Sequence, residues 1–254
     1  MKIEAFYDER TFTLTYVVFD EVTKDAVVID PVLDYDAASS KTWTESVDRV
    51  VQFVEGHALK VHYLMETHAH ADHLSGSQML KERFASAKTV VGSRITEVQS
   101  VFKDVFDLPH DFPTDGRQFD VLVADGQVLR AGSLSFETIF TPGHTPADVT
   151  YRFEDVVFTG DSLFMPDFGT GRCDFPAGCA SALFDSIQTR LYTLPDKTRV
   201  FVGHDYQPGG RKLRFETTIG ESKRSNTHIT ADTPRDEFVS FRNERDKTLS
   251  APAL

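Results

Sequence analysis

The sequence predicts a mixed α+β fold, in which strands and helices alternate along a chain of 254 residues. Short apolar runs of strand length are interspersed with stretches whose apolar residues recur at helical spacing. The alternation follows neither the rhythm of a single parallel sheet nor that of an all-helical bundle. The length suits one large domain and 40% of the residues are hydrophobic, so we expect a single domain over residues 1–254.

The first part of the chain is predicted to contain three strands, a helix and a fourth strand. The three strands are rich in β-branched and aromatic residues. The helix is indicated by four valines at helical spacing between Val47 and Val54, and the fourth strand leads directly into Thr67 and His68. The predicted strands are Ile3–Tyr7, Thr13–Phe19, Ala26–Ile29 and Val61–Met65.

The remaining chain is predicted to continue with helices, a β-rich stretch, and helices again. Apolar spacing indicates helices at Leu74–Phe84 and Arg94–Phe106, then strands within Phe119–Thr159. A third helix is expected through Leu183, Ile187 and Leu191, followed by a strand at Arg199–Val202 and a charged helix near Arg235–Thr248.

Five histidines and two aspartates fall in four short motifs whose order and spacing predict a metal site. Residues two apart in an extended segment face the same way, so His68 and His70 are expected to point at one ion. The turn that follows would aim Asp72 and His73 at a second position. The other three residues follow predicted strands, where loops carry chemistry. The motifs are T-H-A-H-A-D-H with His68, His70, Asp72 and His73, T-P-G-H-T with His144, T-G-D with Asp161, and G-H-D-Y with His204.

The ligand types leave the metal open. Nitrogen and oxygen ligands without thiolate suit zinc, but two histidines and one carboxylate also form the facial triad of non-haem Fe(II) oxygenases. The two cysteines, Cys173 and Cys179, do not form a C-x-x-C arrangement. Neither a disulfide framework nor a thiolate zinc site is therefore indicated.

The charge balance argues against nucleic acid as a partner, because a formal net charge of −12 repels phosphate backbones. Residues 211–224 are an exception, with five basic and two acidic residues. They could bind a small anionic substrate or form an ordinary solvated segment.

Met1–Arg10 lacks the apolar core of a signal peptide, and no run of about eighteen apolar residues occurs, so we expect a cytoplasmic protein without a membrane partner.

On these motifs the sequence resembles the metallo-β-lactamase superfamily, whose pattern is H-x-H-x-D-H followed by a distal His, a bridging Asp and a final His. The resemblance extends from about Ile3 to Asn226. It implies an αββα sandwich, in which two mixed sheets pack face to face with helices outside. The metals would lie at one edge, between the sheets.

A narrower resemblance is to the persulfide dioxygenases, also called sulfur dioxygenases, and especially to their bacterial branch. Glyoxalase II enzymes are similar around the metals, but they usually have a different loop after the G-D-x-L-F element and a longer helical C-terminal domain. The stretch after His204, about fifty residues, is too short for that domain. The segments that carry the narrower resemblance are T-H-A-H-A-D-H-L-S-G at Thr67–Gly76, T-P-G-H-T-P-A at Thr141–Ala147, F-T-G-D-S-L-F-M-P-D-F-G-T-G-R-C-D-F-P at Phe158–Pro176, and G-H-D-Y-Q-P-G-G-R at Gly203–Arg211.

The narrower resemblance implies one Fe(II) per chain as the catalytic centre, held by His68, His144 and Asp161. The substrates would be glutathione persulfide and O₂, giving sulfite and glutathione in sulfide detoxification. Five further groups would line a vacant second metal position or orient the ligands. Those five groups are His70, Asp72, His73, His204 and Asp205.

Glutathione carries carboxylates, so the same resemblance calls for polar and cationic groups near the iron. We expect Arg172, Tyr206 and Arg211 to bind the substrate. For Arg172, an ion pair with Asp174 is an open alternative.

Two other functions stay open on the sequence: a zinc thioester hydrolase of the glyoxalase II type, and a non-enzymatic protein that binds metal or small thiols. We also expect a homodimer without a fused rhodanese domain. Relatives of the bacterial branch usually continue beyond the position of residues 250–254, so we expect a truncated C-terminal tail.

Overall fold

The structure, a computed structural model, describes residues 1–250 and alternates strands with helices. The strands are β1 (Lys2–Asp8), β2 (Thr13–Phe19), β3 (Asp25–Ile29), β4 (Val32–Asp36), β5 (Lys41–Trp43), β6 (Lys60–Met65), β7 (Leu74–Ser75), β8 (Lys88–Gly92), β9 (Val121–Val123), β10 (Val128–Ala131), β11 (Leu134–Phe140), β12 (Val149–Phe153), β13 (Val156–Phe158), β14 (Arg199–Phe201) and β15 (Glu216–Thr218). The α-helices are α1 (Glu45–Gly56), α2 (Ser77–Arg83), α3 (Ile95–Val105), α4 (Ala180–Ser186), α5 (Ile219–Ser225) and α6 (Arg235–Asp246).

The first large sheet has the strand order β1-β2-β3-β6-β8-β9. The pairs β1–β2 and β2–β3 are antiparallel, whereas β3, β6, β8 and β9 pair in parallel. Every residue of β2 is buried. A strand covered on both faces favours apolar residues at consecutive positions, which explains the continuous apolar run at Tyr16–Phe19.

The second large sheet has the order β10-β11-β12-β13-β14-β15. Its neighbours pair antiparallel except for β13 and β14, which are parallel. The loops that follow β13 and β14 therefore leave the sheet side by side, at the edge where functional loops of parallel strands meet. A small third sheet has the order β5-β4-β7.

Aromatic side chains join the two large sheets. The Tyr16 ring, on β2, lies 5.1 Å from that of Phe158 and 5.6 Å from that of Phe201, which belong to the second sheet. The Tyr16 hydroxyl donates a 2.6 Å hydrogen bond to the Val202 carbonyl. Full burial of each such ring contributes on the order of 2 kcal/mol.

Helices cover the outer faces of the sheets. Helices α1 and α2 bury their apolar sides in one cluster with β2 and β3 of the first sheet. Helices α4 and α6 contact each other, and their Leu183 and Phe238 join the cluster that contains β13 and β14. The predicted α+β sandwich, with mixed sheets inside and helices outside, is confirmed.

Most predicted elements are confirmed, but the helix predicted at Leu74–Phe84 starts too early. Leu74 and Ser75 pair with β4 as a short strand, and the helix begins at Ser77. Gly76 between them lies so close to Val32 that a Cβ would be 2.9 Å from its carbonyl oxygen, which fixes the backbone at the junction. The elements that sequence reasoning missed are β4, β5, β8, β15 and α5.

Among residues 1–250, no helix is both long enough and apolar enough to cross a membrane. The tail that was expected to be truncated falls mainly on residues 251–254, which lie outside the described part of the chain.

Candidate metal centre and substrate cavity

The first histidine motif lies in an irregular loop after β6, which Asp30 holds in place. Asp30 follows β3, and its carboxylate accepts hydrogen bonds from the backbone N–H and hydroxyl of Thr67 at 2.7 and 2.8 Å. The Thr67 carbonyl in turn accepts from the N–H of Val149 at 2.9 Å. The loop is thereby fixed to both sheets.

His68, His144 and Asp161 converge on one point. Their ligand atoms lie within 4.8 Å of one another, and all three residues are buried. Asp161 Oδ2 is 3.6 Å from His144 Nε2 and 4.0 Å from His68 Nε2. His144 Nδ1 lies 2.7 Å from the Arg172 carbonyl, an acceptor, so Nδ1 donates and Nε2 carries the free lone pair.

Several atoms at this point lack the partners that buried polar atoms need. Within residues 1–250, His68 Nε2 and Asp161 Oδ1 of this triad are buried without a hydrogen bond, as are His70 Nδ1 and His73 Nε2 in the neighbouring cluster. Burial, together with nearby His70, holds the pKa of His68 well below its usual range, so its imidazole is neutral and able to donate electrons to a metal. The unpartnered imidazole and carboxylate atoms fit a divalent cation.

His70 does not face the same point as His68, contrary to the expectation from residue alternation. Its Nε2 lies 3.2 Å from Asp30 Oδ1 and 3.3 Å from Glu66 Oε2. Side chains do not alternate here as they would along a strand, because β6 ends at Met65 and the residues that follow do not form a strand. Burial opposes protonation of His70, but the Asp30 carboxylate outweighs it and raises the pKa of His70 well above its usual range.

At the second predicted metal position, His70, Asp72 and His73 form a candidate metal-binding cluster, and His204 is next to Asp72. His204 Nε2 lies 3.3 Å from both Asp72 Oδ2 and Asp161 Oδ1. Burial disfavours the charged imidazole, yet Asp161 and Asp72 raise the pKa of His204 to about 9. For His73, burial and then His70 lower the pKa to about 4. The two carboxylates thus favour a positive charge at this position.

The turn that presents Asp161 needs glycine at position 160. Gly160 has a φ of +48°, and a Cβ there would overlap the Thr67 hydroxyl. This close approach brings the end of β13 against the first histidine loop, and so places Asp161 next to His68.

A cavity of about 290 Å³ opens onto this centre. Its wall is aromatic: the Tyr206 ring stacks on Phe168 at 4.5 Å and on His204 at 5.5 Å. The volume is near the lower end of the range of small-molecule sites, about 300–1,000 Å³. The lining residues are Ala71, Asp72, His144, Asp161, Phe164, Phe168, Thr170, Gly171, Arg172, Phe175, Tyr206, His228, Arg242, Arg245 and Leu249.

Two of the three predicted substrate-binding residues line the cavity. Tyr206 lies in its wall, and Arg172 lines it while forming a two-bond ion pair with Asp174 at 2.6 and 2.7 Å. The alternative considered for Arg172 is therefore present in the structure. Its remaining terminal nitrogen donates to the Ser250 carbonyl at 2.7 Å.

Arg211 is not brought to the lining. Its guanidinium is shared between Asp167 and Asp205, with nitrogen–oxygen distances of 2.5 to 2.9 Å. The Asp205 side chain is 0% exposed. Asp205 also accepts from the N–H of Arg214 at 2.7 Å. Asp205 and Arg211 thus stabilise the loop after His204, and we do not include Arg211 among the substrate contacts.

Cys173 and Cys179 differ in exposure. Cys173 is buried, its N–H donates to Asp246 at 2.8 Å, and burial followed by the Asp246 charge raises the pKa of its thiol well above the usual value. Cys179 is exposed. Neither contributes to a described cluster of metal-binding groups.

Sequence reasoning missed much of the cavity wall. Phe164 and Phe168 lie in a segment that carried the family resemblance, so an aromatic pair beside the T-G-D motif was an available signal. His228, Arg242 and Arg245 come from the last part of the chain and gave no signal in the sequence.

A profile of the metallo-β-lactamase superfamily matches residues 9–204. The chain belongs to this superfamily. Membership agrees with the two mixed sheets and with the position of the metal-binding cluster between them.

Within the superfamily, several curated relatives match the whole chain. A "Beta-lactamase hydrolase-like protein" of Xylella fastidiosa is 47% identical over 253 residues, 100% of this chain and 58% of the relative. The chain thus spans little more than half the length of that protein. A "Glyoxylase B2" of Dictyostelium discoideum is 44% identical over 254 residues, covering 100% of this chain and 87% of the relative.

The chain is also similar to proteins that are named ETHE1. The human mitochondrial "Persulfide dioxygenase ETHE1" is 31% identical over 239 residues, 93% of this chain and 78% of that protein. The crystal structure of ETHE1 from Myxococcus xanthus is 35% identical with a TM-score of 0.79, covering 100% of this chain and 94% of that one. The chain is therefore similar both to proteins named as hydrolases or glyoxylases and to ETHE1.

Proposed function

We propose that this chain oxidises glutathione persulfide with O₂ to sulfite and glutathione, and that it depends on one Fe(II) held by His68, His144 and Asp161. The observation that carries the proposal is the separation of this triad from His70. Two histidines and one carboxylate converge, and the unpartnered Nε2 of His68 is among their ligand atoms, while His70 groups with Asp72 and His73 and pairs with Asp30. Two histidines and one carboxylate are the ligand set of non-haem Fe(II) oxygenases.

Similarity to ETHE1 supports the choice of reaction. The human relative is named a persulfide dioxygenase, and its identity to this chain extends over most of both proteins. The segments from Thr67 to Gly76 and from Phe158 to Pro176, on which the resemblance was partly based, both contribute residues to the cavity lining.

When bound, Fe(II) would supply a redox-active centre at which O₂ and the terminal sulfur are brought together. The overall reaction balances with one water: persulfide, O₂ and H₂O give thiol, sulfite and two protons. Two sulfite oxygens come from O₂ and the third from water.

The residues of this chain would orient the ligands and exclude water. The Arg172 carbonyl fixes the His144 ring by accepting from Nδ1, and the Thr67 hydroxyl lies 2.9 Å from Nδ1 of His68. Partners of this kind set the direction of the metal-binding nitrogen. The aromatic wall of Phe164, Phe168 and Tyr206 provides an apolar surface beside the reacting sulfur.

A zinc thioester hydrolase of the glyoxalase II type is the second candidate, and the relative named "Glyoxylase B2" favours it. His70, Asp72 and His73 form a second cluster of possible ligands that a two-metal hydrolase would use, and His204 Nε2 lies 3.3 Å from Asp72 Oδ2. His70 does not belong to the cluster of His68, His144 and Asp161, and this favours the first candidate.

Metal content and oxygen uptake test the proposal together. We would purify the protein anaerobically, measure metals by elemental analysis, and follow O₂ and sulfite after adding glutathione persulfide. We expect about one iron per chain and equal amounts of O₂ consumed and sulfite formed. Two zincs per chain with thioester cleavage and no oxygen uptake would replace the proposal with the hydrolase.

A further inference from the structure

The far wall of the substrate cavity is formed by the end of helix α6, which brings two arginines to it. Arg242 and Arg245 lie three residues apart, so they occupy the same face of the helix. Arg242 is buried and its charge is matched: it donates to Asp246 at 2.9 Å through Nε and to the Thr170 carbonyl at 3.3 Å. It therefore fixes the helix to the loop that carries Arg172.

Arg245 differs from Arg242 because its charge is not matched. Among residues 1–250 its guanidinium forms no ion pair and no side-chain hydrogen bond, although it lines the cavity. The other cavity arginine, Arg172, has its charge matched by Asp174. In a chain with a net charge of −12, an unmatched guanidinium beside the candidate metal centre is the group that would attract an anion.

His228 places a neutral donor on the same wall. Its Nδ1 accepts a 3.1 Å hydrogen bond from the N–H of Thr170, so the proton is on Nε2. Burial, then the charges of Arg242 and Arg245, lowers the pKa of His228 to about 3, so the ring is neutral at physiological pH. Nε2 has no hydrogen-bonding partner in the described part of the chain and is available to a ligand.

We propose that Arg245 and His228 form the subsite that binds a carboxylate of the substrate, and that this site therefore prefers small thiols or persulfides that carry a carboxylate. A planar guanidinium binds a carboxylate through paired N–H groups, and a neutral imidazole N–H adds a third donor. The inference rests on the proposed function for the identity of the thiol. It adds to the predicted substrate-binding residues two that the sequence did not indicate. They take the place of Arg211, which is paired with Asp167 and Asp205.

Glutathione lacks the sulfane sulfur of the persulfide, so its binding can be measured without the oxidation reaction and tests the subsite alone. We would titrate the metal-loaded protein anaerobically with glutathione by calorimetry, and repeat the titration with glutathione diethyl ester, which keeps the thiol but lacks both carboxylate charges. We expect Arg245→Gln to weaken glutathione binding about tenfold, the loss expected for one charged hydrogen bond, and to leave ester binding unchanged.

Two further variants serve as controls. Lys247→Gln removes one positive charge from the same end of the chain, but Lys247 is paired with Glu244 at 2.6 Å and does not line the cavity. It should leave both affinities unchanged. His228→Asn keeps an acceptor for the Thr170 N–H and removes the Nε2 donor, so it should weaken glutathione binding only.

The outcomes are distinct. If Arg245→Gln and Lys247→Gln weaken glutathione equally, the effect is one of general charge and the subsite is wrong. If Arg245→Gln changes neither affinity, Arg245 is an ordinary surface charge and the inference is also overturned. Wild-type protein that binds glutathione more tightly than its ester, through Arg245, but consumes no O₂ with the persulfide would retain the subsite and refute the dioxygenase.

Discussion

His68 and His70 belong to the same seven-residue motif, yet the structure gives them opposite surroundings. His68 is neutral, with Nε2 free and directed at His144 and Asp161, whereas His70 is paired with the buried carboxylates Asp30 and Glu66. The difference indicates that motif spacing alone does not determine which histidines group together. The path of the backbone after β6 decides it, and Asp30 holds that path.

The strongest test of this difference is the same substitution at both positions. We expect His68→Gln to remove nearly all bound metal and persulfide-dependent oxygen uptake, because it deletes a ligand. His70→Gln keeps an N–H that can reach Asp30, so metal affinity should fall by no more than about tenfold, the low end for groups that only orient ligands. Elemental analysis after dialysis against a weak chelator measures both. Equal metal loss in the two variants would show that His70 is a ligand.

The position of Asp161, the carboxylate member of the triad, can be changed without substituting Asp161 itself. A Cβ at Gly171 would overlap the Asp161 carbonyl oxygen, so Gly171→Ala must move the backbone that carries this ligand. We expect partial loss of metal and a decrease in the free energy of unfolding of about 1–3 kcal/mol. Gly56→Ala is the matched control, since its Cβ would meet no atom within 4 Å. Metal content in the Gly171 variant equal to that of the control would show that the loop adjusts freely.

The two arginines that were predicted to bind the substrate also differ: Arg172 lines the cavity, whereas Arg211 stabilises a loop outside it. Arg172 lines the cavity, so Arg172→Ala should mainly raise KM for the persulfide with a smaller effect on kcat. Arg211→Ala leaves the buried Asp205 carboxylate without its cation, so it should lower the free energy of unfolding by about 1–3 kcal/mol with little change in KM. Steady-state kinetics and urea denaturation of both variants measure this. If the Arg211 variant has a higher KM and an unchanged free energy of unfolding, Arg211 binds the substrate after all.

His62 shows what a carboxylate-paired histidine contributes away from the metal. Its Nε2 is 2.6 Å from Asp25 Oδ1, and this hydrogen bond, with the N–H of Ser133, lowers the pKa of Asp25. A depressed carboxyl pKa in the folded state stabilises the fold above the unfolded value, about 4, and this contribution is lost as the pH falls further.

For this pair we expect Asp25→Asn to lower the free energy of unfolding at pH 7 by less than about 1 kcal/mol, because both groups are partly solvated. The difference from wild type should shrink as the pH falls below about 4, which urea denaturation at several pH values would measure. A difference that grows toward acid pH would contradict the assignment.

Much of the fold could be predicted from local sequence, because the apolar residues of the larger strands and helices recur at regular spacing. The Thr13–Phe19 strand was predicted with its observed bounds, and the valines of α1 gave that helix directly. The short strands β4, β5 and β15 were missed. They have three to five residues, too few for a clear pattern, and β4 also pairs with β7, which is distant in sequence.

The site could be predicted only in part for a related reason. The four motifs identified the region, but the choice of His68, His144 and Asp161 came from family resemblance, while simple alternation paired His68 with His70. Arg245 and His228 reach the cavity through tertiary packing: the hydrogen bond between Thr170 and His228 spans 58 residues. No local pattern can reveal a contact of that kind.

The burial of Cys173 has a consequence for sulfur chemistry. Thiol exchange with a persulfide or disulfide requires a thiolate, and both burial and the Asp246 charge oppose its formation at this cysteine. We therefore expect Cys173, the neighbour of Arg172 in the cavity loop, to react slowly with sulfane sulfur. If the proposed persulfide substrate enters the cavity, Cys173 should compete little for its sulfur, and this loop should form a mixed disulfide with it only slowly.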